Sequence, residues 1–237
     1  MTTGRSRVAA RLQAPFATRE ALVRVCHTLS ARGLIAGQDG NVSVRLGGDR
    51  VLVTPAGFAK GWLDPDDLVE VSLDGVHLAG RHLASSELGL HLCAYRVRPD
   101  ACAVVHAHPV TATAFSLVGE TIPDGVLAEL MLTVGPVALA RYAQPGTAEL
   151  GNIVTPLFVG HDAVLLANHG AVTLGRTLHE ALFIMESLEH GARMIHLARQ
   201  LGGVVTLDVA ACEALRAARR RARDDAATDA APKEMTE

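Results

Sequence analysis

Residues 103–109, AVVHAHP, read as a short strand that closes on two histidines, His106 and His108. In an extended chain, side chains two residues apart leave the same face, so both imidazoles point to one spot above a sheet. That is half of a metal site. Zinc and its borderline neighbours take imidazole nitrogen together with carboxylate oxygen. The chain offers Glu87, in SSELGLH (85–91), and His169, in LLANHGAV (165–172), as partners. A His-X-His pair is also ordinary surface chemistry at a strand end, and it gains meaning only if those partners meet it.

Working outward, the strand sits among alternating helical and extended patterns. A helix is predicted over 87–98, with Leu88, His91, Leu92 and Tyr95 on one face and Pro99 beyond its end. A short helix over 110–117 follows the strand. Residues 163–167 and 171–174 are apolar strands, separated by the turn-like Asn168-His169-Gly170. A long helix over 177–201 carries an apolar stripe from Leu178 to Ala198. Its polar face, with Glu180, Glu186, Glu189 and Arg193, reads as solvated or as a subunit contact. Upstream, Thr18 is placed to cap a helix over 18–32 that Gly33 stops. Strands at 41–46 and 50–54 flank a Gly47-Gly48-Asp49 hairpin turn, and another strand covers 69–73 after a one-turn helix start at Asp64. A strand at 137–140 and a helix at 147–158 complete the order, and 123–135 fits no pattern. After Gly202-Gly203 an Ala- and Arg-rich helix spans 208–226, its Arg run read as a solvated end, and a polar tail follows from Thr228.

The bulk properties narrow the function. The 237 residues suit one sizeable α/β domain, and the 49% apolar content calls for a large core. A net charge of −3 leaves no basic footprint, so nucleic acid is not expected as a partner. No stretch approaches the roughly 20 apolar residues of a membrane span, and the first residues lack the apolar run of a signal peptide, so a cytoplasmic protein is expected. Cys26, Cys93, Cys102 and Cys212 are scattered without C-x-x-C spacing and read as small core residues.

Two further segments look like parts of an anion pocket. Gly40-Asn41 and Ser85-Ser86 combine close backbone approach with uncharged hydrogen-bond donors, and Glu87 opens a helix whose N-terminus attracts negative charge. Each alone could be a turn or a cap. His91, four residues beyond Glu87, is a rival ligand but reads as structural.

Taken together, GNVSVR (40–45), VTPAG (53–57), Ser85-Ser86-Glu87, VVHAHP (104–109) and ANHGAV (167–172) resemble, in order and spacing, the class II aldolase/adducin family, and especially its fuculose-phosphate aldolase branch. The resemblance covers about residues 18–202. It implies a single three-layer α/β/α domain around a largely antiparallel sheet over residues 1–205, with 206–237 as a C-terminal helix and a partly disordered tail. It also implies a homotetramer with sites at subunit interfaces. By the same resemblance, His106, His108 and His169 bind zinc or another divalent metal. Glu87 is implied as a further ligand and the catalytic acid/base, while Asn41, Ser85 and Ser86, with backbone from Gly40 and Gly57, hold a substrate phosphate. The implied reaction is lysis of a ketose 1-phosphate to dihydroxyacetone phosphate and an aldehyde, with the metal stabilising the enediolate.

Three positions depart from the family. Ala56 stands where the T-P-[S/T]-G loop has a hydroxyl, which makes a carboxylate-bearing substrate credible. The segment 122–132 lacks the branch's tyrosine, leaving Glu129 as a loosely held substitute, and no aromatic follows Phe183. The alternatives are therefore a metal-dependent decarboxylase of a keto acid or hydroxylated aromatic diacid, and, further off, a non-catalytic adducin-like scaffold.

Overall fold

The structure, a computed structural model, describes residues 10–229, with side chains through Asp225. Eight strands are described: β1 (Asn41–Leu46), β2 (Arg50–Val53), β3 (Val69–Ser72), β4 (His77–Ala79), β5 (Ala103–Ala107), β6 (Val137–Ala140), β7 (Ala163–Leu166) and β8 (Gly170–Gly175). They form one sheet in the order β4-β3-β2-β1-β5-β8-β7-β6, antiparallel throughout except for the parallel β6–β7 pair. Seven α-helices accompany it: α1 (Phe16–Ala31), α2 (Leu88–Val97), α3 (Val110–Leu117), α4 (Ala128–Thr133), α5 (Ala148–Phe158), α6 (Leu178–Gln200) and α7 (Val209–Asp229).

β5 is central, and both of its faces are buried, which is why AVVHA lacks the alternation of a half-exposed strand. Ala103, Val105 and Ala107 join Val42, Leu165 and Ala171 against Leu22 and Leu29 of α1 and Met185 and Leu188 of α6. Val104 joins Val164, Leu166 and Val172 against Tyr95 of α2 and Leu150, Val154 and Phe158 of α5. Each such side chain contributes about 1.5–3 kcal/mol of burial, and the two cores make the three layers expected of the fold. His106 shares the parity of Val104. It therefore faces the layer of α2, the helix that Glu87 precedes.

Several sequence expectations need adjustment. α1 begins at Phe16, with Pro15 at the cap position; the N–H groups of Thr18 and Arg19 both donate to the Pro15 carbonyl, so Thr18 lies inside the first turn and caps nothing. The unassigned stretch 123–135 contains α4, and the Asp74-Gly75 turn leads into the edge strand β4. The Arg run of α7 is not a solvated end throughout. Arg219 and Arg223 both pair with buried Asp162, which also takes Arg98 at 2.9 Å, and Arg216 pairs with Asp124. The helix reaches Asp229, and residues 230–237 of the expected tail lie outside the described residues. No described helix is long and apolar enough to cross a membrane.

Candidate metal centre

β5 ends at Ala107, so His108 lies one residue past the strand rather than on it. The two histidines nevertheless converge. The His108 backbone N–H is held by the Leu34 carbonyl, and the ring centroids of His106 and His108 are 5.0 Å apart. His169 reaches them from the β7–β8 turn, where Asn168 takes φ 58° and the His169 N–H donates to the Leu166 carbonyl. Its ring centroid lies 4.7 Å from that of His106 and 5.0 Å from that of His108. Each of the three rings offers a nitrogen within 4.8 Å of the others.

Close approach at this turn depends on Gly170. A Cβ there would come within 2.5 Å of the Ala107 carbonyl oxygen and 2.6 Å of His108 Cδ2. Gly40 has a similar place under β5: with φ +68°, its absent Cβ would meet the His106 carbonyl oxygen at 2.8 Å.

The tautomers follow from the neighbours. His106 Nδ1 lies 2.9 Å from the Ala171 carbonyl oxygen, which can only accept, so this nitrogen carries the proton and Nε2 presents a lone pair. His108 Nδ1 faces the Asp39 carboxylate at 3.3 Å, which again leaves Nε2 free. Those two Nε2 atoms are 3.3 Å apart, lone pair toward lone pair. Such a pair is repulsive by itself and becomes favourable when a cation sits between the rings.

Glu87 completes the cluster from the residue before α2, one position ahead of the helical turn in which the sequence placed it. Its Oε2 is 3.2 Å from His106 Nε2, its Oε1 is 3.5 Å from His169 Nε2, and Oε1 is buried without a hydrogen bond. Burial raises its pKa, but the adjacent His106 and His169 imidazoles and the Asn41 amide together hold it down at about 2. His169 is lowered to about 4, by burial first and then by His106, and His108 is lowered for the same two reasons. Near neutral pH His108 and His169 are thus neutral and Glu87 is ionised, the protonation states in which these groups bind a divalent ion.

His91 is structural, as its position suggested. It is fully buried, with Nε2 2.5 Å from Asn41 Oδ1 and Nδ1 2.7 Å from Ser43 Oγ. Asn41, opposite His106 in the β1–β5 register, donates Nδ2 to Glu87 at 3.0 Å. Both ends of the Asn41 amide are therefore engaged inside the protein. Ser85 is buried, and its Oγ accepts the Glu87 N–H at 3.3 Å, while Ser86 is exposed. Their loop lies beside the one carrying Ala56 and exposed Gly57, joined by hydrogen bonds from Ser85 N–H to Thr54 and from Ala56 N–H to Leu83.

Glu129 is exposed in the first turn of α4, which packs on α6 and α7, and no hydrogen bond or ion pair among the described residues joins it to the histidines. Glu189, read as solvated, instead accepts the N–H groups of Thr111 and Ala112 and caps α3 directly behind His108-Pro109. Glu186 pairs with Arg32 at 2.7 Å. The residues missed in the sequence were Asp39, Ser43 and Lys60. Asp39 carried a faint signal, a carboxylate next to Gly40-Asn41; Lys60 carried none.

Residues 20–196 match the family model of the Class II Aldolase and Adducin N-terminal domain. The chain is 36% identical over 183 residues to a 3-oxo-tetronate 4-phosphate decarboxylase of Escherichia coli O6:H1, covering 76% of this chain and 86% of that one. It is 34% identical over 175 residues to an L-fuculose phosphate aldolase of Methanococcus vannielii, covering 74% and 93%. The crystal structure of YgbL from Escherichia coli superposes with a TM-score of 0.81 at 32% identity, over 85% of this chain and 98% of that one.

Proposed function

Since the chain belongs to the class II aldolase and adducin family and is an enzyme of its metal-dependent aldolase type, we propose that it breaks the bond between the carboxylate and the carbon next to the ketone of a small phosphorylated 3-oxo acid, releasing carbon dioxide. The observation that carries this reading is the convergence of His106, His108, His169 and Glu87, with free lone pairs on two facing imidazoles. A divalent metal held by those residues would supply Lewis-acid stabilisation of the charge that develops on the ketone oxygen.

The protein's own groups do the rest. Ser85 and Ser86, with the backbone at Gly57, are assigned to the substrate anion, and Gly40 to the close packing of its turn on β5. Asn41, engaged by Glu87 and His91, is assigned to aiming Glu87 rather than to the phosphate. When the carboxylate leaves as carbon dioxide, the bonding electrons pass to the ketone as an enediolate. Glu87 then delivers to the vacated carbon a proton collected from solvent.

The nature of the leaving group favours this reading over aldol cleavage. Retro-aldol cleavage of a ketose 1-phosphate gives the same enediolate, but it also needs a group to move the proton of the departing aldehyde's oxygen. Residues 122–132 hold no phenol, and Glu129 stands exposed away from the histidines. Carbon dioxide needs no such group. Similarity to an L-fuculose phosphate aldolase keeps the aldol reaction as the second reading. The same proposal includes zinc as the ion, for its three-imidazole and carboxylate set. It also includes a homotetramer using the exposed Val110, Leu117 and Val118 beside the site, and a cytoplasmic location in keeping with four free cysteines.

Zinc-loaded protein assayed in parallel with 3-oxo-tetronate 4-phosphate and with ketose 1-phosphates separates the readings. Carbon dioxide release with little aldehyde is the expected result. Aldehyde release alone would establish the second reading, and no turnover of either would reject both.

A further inference from the structure

Lys60 is a lysine without a surface. Only 3% of it is exposed, in a short 3-10 turn after the Thr54–Gly57 loop, and it carries an ammonium into the interior. Its Nζ donates to two backbone carbonyls, that of Gln38 at 3.0 Å and that of Phe58 at 2.6 Å. These belong to the two loops that frame the site. The Gln38 carbonyl immediately precedes Asp39, whose carboxylate faces His108 Nδ1, and Gly40, which packs under His106. The Phe58 carbonyl immediately follows Gly57, at the anion end. Burial lowers the amine's pKa, while Cys26, Asp39 and Glu87 oppose that, so the ammonium lies within electrostatic reach of two carboxylates of the site.

A buried ammonium carries a large desolvation cost, which carbonyl and carboxylate partners must offset. A core methionine would fill this space without that cost. β1 and β2 pair as far as Val42 and Thr54, and what the charge supplies is a further fixed link between the loop that enters β1 and the loop that leaves β2, beyond the end of that pairing. We propose that Lys60 is a positioning residue that ties the metal-side loop to the anion-side loop, setting metal affinity through Asp39 and His108 and substrate affinity through Gly57. This rests on the reading of the histidine cluster as a metal site.

The test uses full-length Lys60→Met and Lys60→Gln proteins, with Cys26→Ala as a control that loosens packing near the amine without removing its bonds. Zinc affinity is measured by competition with a chromogenic chelator, KM and kcat on the substrate the wild type turns over, and thermal stability in parallel. Removing a group that orients a ligand's partner weakens metal binding by about tenfold or more. Lys60→Met is therefore expected to lose about tenfold in zinc affinity and to raise KM more than it lowers kcat. Lys60→Gln, which keeps a donor, should fall in between and serves if the methionine variant does not fold. Cys26→Ala should lose stability with zinc affinity unchanged. Wild-type zinc affinity in both Lys60 variants, or an equal loss in Cys26→Ala, would overturn the assignment. A wild-type protein that binds no zinc would instead remove the metal reading on which it rests.

Discussion

At the scale of single residues, the direction of one hydrogen-bond chain is set by Glu87. An ionised carboxylate only accepts, so Asn41 must turn its NH2 toward Glu87 and its carbonyl toward His91 Nε2–H. His91 Nδ1 then accepts from Ser43, and Ser43 Oγ accepts from Tyr95 at 2.7 Å. The chain keeps His91 neutral, and burial pulls its pKa down from 6.5 to about 3. A base whose folded pKa is depressed contributes stability that is complete above its unfolded pKa. That stability is lost as pH falls from about 6.5 toward about 3, because the unfolded chain takes up the proton first. Glu87, depressed from 4.5 to about 2, adds a loss of the same sign at lower pH. Urea unfolding of metal-free protein should therefore show stability falling by at least about 1.4 kcal/mol per pH unit below pH 6.5. His91→Gln should reduce that slope, the part due to His108 and His169 remaining, and an unchanged slope in this variant would speak against a depressed His91.

At the scale of elements, the site is built where β5 and the β7–β8 turn meet, and Gly170 permits the meeting. Gly170→Ala would push a Cβ against the Ala107 backbone, which cannot yield as a flexible side chain could. We expect a stability loss of about 1–3 kcal/mol, together with weaker zinc binding than its thermal shift alone explains. Zinc affinity equal to wild type would show that the turn tolerates displacement. Much of this architecture was legible in the sequence. The apolar run around His106, the hairpin at Gly47-Gly48-Asp49 and the break at Asn168-His169-Gly170 each carry a local pattern, and all appear where expected. The misses have tertiary causes. α4 is six residues long and is held by α6 and α7 rather than by its own periodicity. Glu189 looks like any exposed helix carboxylate until the N-terminus of α3 arrives beside it. Lys60 and Asp39 lie on loops that only the folded sheet brings together, and the two internal partners of Asn41 are likewise distant from it in sequence.

At the scale of the molecule, the sheet separates chemistry from anchoring. The histidines cluster at the end where β5 finishes and β8 begins, while Asp162, just before β7, gathers Arg98, Arg219 and Arg223 at the opposite end. That buried cluster holds α7 beside α4 and away from the histidine cluster of the same chain. The central claim is that one divalent ion is held jointly by elements far apart in sequence. Equilibrium titration of metal-stripped protein with zinc at pH 7, for wild type, His106→Ala and His169→Ala, tests it most directly. The wild type is expected to bind one ion per chain, and each variant to lose at least about a hundredfold in affinity. Equal binding by the wild type and either variant would contradict that claim.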